Sequence, residues 1–188
     1  SYNVKYFLEQ CLCSVQRALA AGMEVLVIDN HSSDGSVEYL REKYPFAQFI
    51  SNDKNVGFAK ANNQALEKAN GELVLFLNPD TIIPEDLFTT CISFMESHQE
   101  AGALGVRMID GSGKFLKESK RGFPSPWVAF CKMSGLTALF PHSKRFAKYY
   151  LGHLSEKEIH EVDALAGACM LVRKNVLDKT GGFDEQFF

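Results

Sequence analysis

The sequence has no CxxC pair and no histidines at metal-ligand spacing, and its five cysteines, Cys11, Cys13, Cys91, Cys131 and Cys169, are odd in number and scattered. That pattern argues against a disulfide framework or a zinc site and for reduced, buried thiols in a cytoplasmic protein. Glycine-rich phosphate loops are missing too. GSGK at 111–114 lacks the upstream Gly and the following Ser or Thr of a P-loop, and no GxGxxG opens a helix after a strand. A nucleotide-dependent kinase or a nicotinamide dehydrogenase is therefore unsupported. An excess of one charge is absent, since 20 Lys and Arg stand against 23 Asp and Glu for a net −3, which gives no footprint for nucleic acid. No run is long enough to cross a bilayer: the longest nearly apolar stretch, Trp127 to Phe140, carries Lys132. The chain opens on no signal-peptide pattern, and it holds no repeat or low-complexity linker.

What is present is ordinary globular composition, 188 residues with 46% hydrophobic and 23% charged, enough for one domain with a real core. Apolar residues recur at helical spacing from Val4 to about Ala20, and Val25 to Ile28 reads as a short buried strand followed by the polar turn DNHSSDG. A helix over Ser36 to Tyr44, a strand at Phe49 and Ile50, and a helix after NVG complete two strand–helix steps. Leu73 to Leu77 is five apolar residues in a row, which predicts a central strand buried on both faces. Pro84 then opens another helix. The alternation is that of an α/β fold with a mostly parallel sheet covered on both sides. Further on, ALGVRMI and Phe115 to Glu118 read as a hairpin around DGSGK, 119–161 as irregular, Ala168 to Val172 as a strand and Lys174 to Lys179 as a short helix.

Polar residues cluster where these strands end: Asp29 and Asn30, then Asn55 and Gly57, then Asn78 and Asp80. In an open α/β sheet the C-terminal strand ends line the ligand crevice, and helix starts near Asp34 and Gly57 offer amides to an anion. Each residue also has a local explanation, as a turn former or a helix cap. It is the recurrence at three strand ends that points to a site.

VIDNHSSDGS, NVGFAKANNQA, VLFLNPDT and VDALAGACMLVRKNVLDKTGGFDEQFF, in that order over almost the whole chain, resemble the family 2 glycosyltransferases of GT-A fold, notably their rhamnosyltransferase-like branch. The resemblance implies a three-layer sandwich around a mostly parallel sheet and inverting transfer of a sugar from a nucleotide-diphosphate donor to a glycan or lipid-linked acceptor. NPD matches the family's DxD position with Asn78 in place of the first Asp, which leaves Asp80 to hold Mg²⁺ or Mn²⁺ against the diphosphate. Asp29 is expected at the nucleotide base with Asn30 and Asp34 beside it, Asn55 and Gly57 at the ribose and diphosphate, and Lys60 and Asn63 as further contacts. The general base of the family follows GGFDExFF and is expected beyond Phe188; Asp184 and Glu185 read as a turn feeding the acceptor site. A complete first strand is likewise expected ahead of Tyr2 and Asn3, so the chain reads as a GT-A domain cut at both ends.

Two other functions fit parts of the pattern. A non-catalytic nucleotide-sugar binding module agrees with a missing base, and a sugar nucleotidylyltransferase would share the sheet and the metal but normally shows a Gly-rich loop with Arg and Lys near its start. Residues 127–150 interleave aromatics with Lys132, Lys144, Arg145 and Lys148, which suits peripheral contact with an anionic membrane; the alternative is a lid or acceptor loop packed on the sheet. Of the histidines, only His31 lies in the expected nucleotide-site turn.

Overall fold

The computed structural model describes residues 1–186. Two compact units emerge: Ser1–Leu104 together with Leu171 onward, and Gly105–Met170.

The first unit opens with α1 (Lys5–Ala18), whose residues Leu8, Cys11, Leu12, Val15 and Ala18 are buried along one face, the spacing of an amphipathic helix. β1 (Val25–Asp29), α2 (Ser36–Lys43) and β2 (Ala47–Ser51) follow, and β1 pairs with β2 in parallel from Val25↔Ala47 to Asp29↔Ser51. Leu8, Leu12, Val27, Leu40, Tyr44 and Ala47 form the core between these elements. Asp34 joins them at their starts: its carboxylate accepts from the Lys5 amide at 3.0 Å and the Ser36 amide at 3.1 Å, the first residues of α1 and α2. One anion thus accepts an amide from each of two helix N-termini whose N-cap residues, Val4 and Gly35, make no side-chain cap bond.

Next come α3 (Phe58–Leu66), β3 (Leu73–Leu77), α4 (Leu87–Ser97) and β4 (Ala103–Gly105). The strand at 73–77 has the bounds the sequence predicts, but it is not buried on both faces. It stands at the edge of a three-stranded sheet in the order β3-β7-β4, where β7 is Cys169–Arg173, and only Phe76 along it is fully buried. Its other side chains line a cavity of about 880 Å³ shared with β1, α1 and α3. Glu24, which lines that cavity, accepts from the Asn70 amide at 2.6 Å and ties the start of β1 to the loop before β3. Ser1 lies on the exposed edge of β1: its amine donates to Ile28 O at 2.5 Å and its carbonyl accepts from Asn30 N at 2.8 Å, the bonding of one parallel rung.

Arg173, at the end of β7, donates to the carbonyls of Met95 (2.5 Å), His98 (3.1 Å) and Ala101 (2.8 Å), placing a cation on the carbonyl end of α4. The helix α7 (Lys174–Thr180) completes the unit.

The second unit holds the short strands β5 (Lys120–Arg121) and β6 (Ala164–Leu165), paired antiparallel, and the helices α5 (Pro126–Met133) and α6 (Leu136–Leu139). The hairpin expected around DGSGK is reduced to one bridge, Ile109 to Phe115. Met108 N instead donates to Ser119 Oγ at 3.0 Å, and Lys117–Ser119 winds into a 3₁₀ turn that a returning strand would need to be extended. Two short helices replace part of the irregular stretch, α5 starting where the Ser125 hydroxyl accepts from Val128 N and Pro126 fits the first turn. No helix among the described residues is long and apolar enough to cross a membrane.

Candidate functional site

The loop after β1 is held by Asp29, which is only 2% exposed. Its oxygens accept from Ser32 N (2.9 Å), Ser32 Oγ (2.5 Å) and Ser1 Oγ (3.1 Å), so the carboxylate is already engaged in shaping the turn. Asn30 follows it. The amide of that residue donates to Gly57 O at 3.3 Å and accepts from Asn52 Nδ2 at 3.0 Å, and Asn52 in turn exchanges two bonds with Gln64. The loops after β1 and β2 are thereby cross-linked to α3 by side-chain amides. Asp34 accepts from the two helix starts described above. Burial works to raise its pKa, but hydrogen bonds from Ser36 and the Lys5 amide outweigh it and leave the carboxyl below its ordinary range.

Asn55 Oδ1 accepts from Gly57 N at 3.0 Å, and Gly57 has φ 86° and ψ 171°, a backbone state open in practice to glycine alone. Four of the residues expected from the sequence, Asn30, Asn55, Gly57 and Asn78, line the same cavity between β1 and β3. Asn78 and Pro79 end β3 at its rim, and Asp80 comes next in an exposed turn. Among the described residues no donor engages the Asp80 carboxylate.

The remaining expected residues divide. Asn63 does not reach the cavity; it pairs with the backbone of Phe183, accepting from its amide at 2.8 Å and donating to its carbonyl at 2.9 Å. Phe183 packs edge-on against Phe58 (5.5 Å between centroids) and Phe76 (4.9 Å), so the GGFDE segment is docked beside the start of α3 and the end of β3. Asp184 Oδ1 accepts from Gln186 N at 2.9 Å, a turn of the kind the sequence predicts. Phe187 and Phe188 of that motif lie outside the described residues. Lys60 is exposed on α3 with no bond from its ammonium to any described residue, and His31 is exposed with φ 67°.

No group of three or more His, Cys, Asp or Glu among the described residues could hold a metal ion by itself. The donor set is therefore one unengaged carboxylate, two residues along the chain from the cavity-lining Asn78. That fits a hard divalent cation which takes one carboxylate from protein and the rest of its shell from phosphates and water, as magnesium commonly does.

Sequence reasoning missed Asn52, Gln64 and Ser32. The first two were visible only as polar residues near Asn55 and Asn63, and nothing in their spacing marks the bonds that make them the frame of the site.

The glycosyl transferase family 2 model matches residues 1–181. The N-acetylglucosaminyl-diphospho-decaprenol L-rhamnosyltransferase of Mycobacterium tuberculosis is 27% identical over 200 aligned residues, covering 100% of this chain and 64% of that protein. Among solved structures, a fragment of S. aureus TarS in complex with UDP superposes with a TM-score of 0.66 at 21% identity, covering 99% of this chain and 48% of that one. The mannosyltransferase PcManGT from Pyrobaculum calidifontis, in complex with GDP-Man and Mn²⁺, gives 0.66 at 19%, covering 98% and 46%. The chain thus spans under two thirds of the length of each of these relatives. Its fold is that of the GT-A glycosyltransferases, and with a family match reaching from Ser1 to Gly181 the chain belongs to glycosyl transferase family 2.

Proposed function

We propose that this chain forms the donor-binding part of an inverting glycosyltransferase that moves a sugar from a nucleoside diphosphate to an acceptor hydroxyl. The observation that carries this reading is the exposed, unengaged Asp80, which follows directly on Asn78 and Pro79 of a cavity that Asn30, Asn55 and Gly57 also line. TarS with UDP and the mannosyltransferase with GDP-Man and Mn²⁺ support a nucleotide donor, and the rhamnosyltransferase supports an acceptor carried on a lipid diphosphate.

In this reading the base and ribose lie against the loop of Asn30 and Asn55, with Asp29 and Asp34 holding that loop in shape and Asp29 closest to the base. The diphosphate faces the first amides of α3 behind Gly57, where the helix dipole favours negative charge. Asp80, seconded by the Asn78 amide, would hold Mg²⁺ or Mn²⁺. When bound, that ion supplies Lewis-acid neutralisation of the leaving diphosphate. The acceptor oxygen forms its bond to the anomeric carbon as the bond from that carbon to the phosphate oxygen breaks, so configuration inverts and the hydroxyl proton passes to a base. Asp184 is committed to its turn, and we assign it to shaping the acceptor side. Lys60 and Asn63 take secondary roles, Lys60 as a mobile cation near the phosphates and Asn63 as the clamp on Phe183. Five cysteines outside any disulfide accord with a cytoplasmic setting.

Calorimetric titration of the chain with UDP, dTDP and GDP, each with and without Mn²⁺, tests the reading. Binding of at least one nucleotide that strengthens with the metal supports it; no binding of any of the three under either condition refutes it.

A further inference from the structure

We propose that the face built by α5, α6 and the segment through Tyr150 docks on the surface of an anionic lipid bilayer. The first observation is an inverted helix. On α5, Val128 and Cys131 point inward, whereas Trp127, Phe130 and Met133, three and six positions apart, stand outward, Met133 at 89% exposure. Leu139 and Phe140 extend the apolar surface beyond α6, Leu139 at 69%. Contacts make it one patch: Trp127 stacks on Phe130 with centroids 5.6 Å apart, Phe146 lies 6.3 Å from Trp127 and 5.5 Å from Phe140. Large apolar groups gathered like this on a surface mark an interaction site.

Charge selects the partner. Residues 119–155 carry six of the chain's 20 lysines and arginines and none of its 23 acids. The three ion pairs among the described residues use Lys43, Arg107 and His160, so Lys132, Lys144, Arg145 and Lys148 are not neutralised by protein. Two of these cations fringe the rings, the Arg145 guanidinium 5.5 Å from the Trp127 centroid and the Lys132 ammonium 5.3 Å from that of Tyr149, and Lys144 and Lys148 are exposed beside them in sequence. Aromatic groups at headgroup depth with uncompensated cations around them is the composition of an interfacial segment. A protein partner with a matching acidic rim would meet the same charges, but the two cavities found among the described residues are lined by none of these rings, so the patch offers no pocket for a side chain to enter. A bilayer surface requires none.

This reading does not rest on the proposed function, because vesicle binding calls for neither nucleotide nor metal. Trp127 is the only tryptophan in the chain, so its emission reports on the patch itself. The chain is mixed with vesicles of phosphatidylcholine alone or with phosphatidylglycerol, at low and high salt, and followed by flotation and tryptophan fluorescence. The proposal expects flotation with the anionic vesicles, a blue-shifted emission on binding, and release at high salt. Lys144→Glu with Lys148→Glu should weaken partitioning by roughly tenfold or more. Phe130→Ser with Met133→Ser should abolish the spectral shift, and Lys43→Glu, in the other unit, should change neither; circular dichroism checks that each variant is folded. Absence of salt-sensitive flotation overturns the proposal. So does equal binding to the two vesicle types, or patch variants that convert a dimer to a monomer while leaving flotation intact.

Discussion

Asn63 and Phe183, 120 positions apart, bond to one another as two strands would: the amide of the side chain donates to the Phe183 carbonyl at 2.9 Å and its oxygen accepts from the Phe183 amide at 2.8 Å. A second bond from Asn63 Nδ2 reaches Glu185 at 2.9 Å. A Cβ on Gly182 would collide with Asn63 Oδ1. The far end of the chain is therefore fastened to α3 through one side chain and one missing side chain.

Replacing Asn63 by Ala leaves two backbone groups of the half-buried Phe183 to water, at a cost of about 0.5–1.5 kcal/mol for each bond lost. The expected outcome in chemical denaturation is a lower midpoint with faster amide exchange over 181–186. Gly182→Ala should produce the same local loosening. Because both act on one contact, the double variant should cost less than the sum of the two, which a double-mutant cycle measures.

Gly57 gives a second prediction. At φ 86° and ψ 171° a Cβ is strained, so Gly57→Ala should cost about 1–3 kcal/mol and displace the carbonyl that accepts from Asn30. Asn30→Asp removes the donor at the other end and sets a carboxylate against that carbonyl. Both variants should weaken nucleoside diphosphate binding as well as folding, read by calorimetry and by thermal unfolding of the same samples. Unaltered affinity in a folded Asn30→Asp variant would separate the amide network from the site.

Asp34 predicts a pH dependence. Its carboxyl is depressed in the folded chain, so it contributes stability that is fully present above the ordinary value of 3.8 and is lost as the pH falls through its lower folded value. Asp34→Asn should therefore lower Tm at neutral pH, and the gap from the unaltered chain should close as the pH drops below about 4. A gap independent of pH would show that the two helix starts need only a neutral acceptor.

Local order was readable from the residues alone. Five apolar residues ended by Asn78-Pro79 fixed the span of β3, and the 3.6-residue period of Leu8, Leu12 and Val15 fixed the buried face of α1. Sheet order was not readable, because β7 enters between β3 and β4 from the far end of the chain and no local pattern encodes a partner. For the same reason β3 was expected to be central and is an edge. At the site, Asn30, Asn55, Gly57 and Asn78 were readable as strand-end polar residues and do share a cavity. The engagement of Asp29 with Ser32, of Asp34 with Lys5, and of Asn63 with Phe183 was invisible, since a carboxylate or amide offers the same chemistry to a ligand and to a neighbouring backbone.

Asp80 is exposed, and its carboxylate meets no donor among the described residues. Affinity for the tightest-binding nucleoside diphosphate should be measured by calorimetry with and without Mn²⁺, in the unaltered chain and in Asp80→Asn. The prediction is that manganese strengthens binding in the unaltered chain, and that Asp80→Asn removes this increment while retaining the weaker metal-free binding and the same unfolding midpoint. If Asp80→Asn keeps the full manganese increment, the ion is held elsewhere and Asp80 is not its ligand.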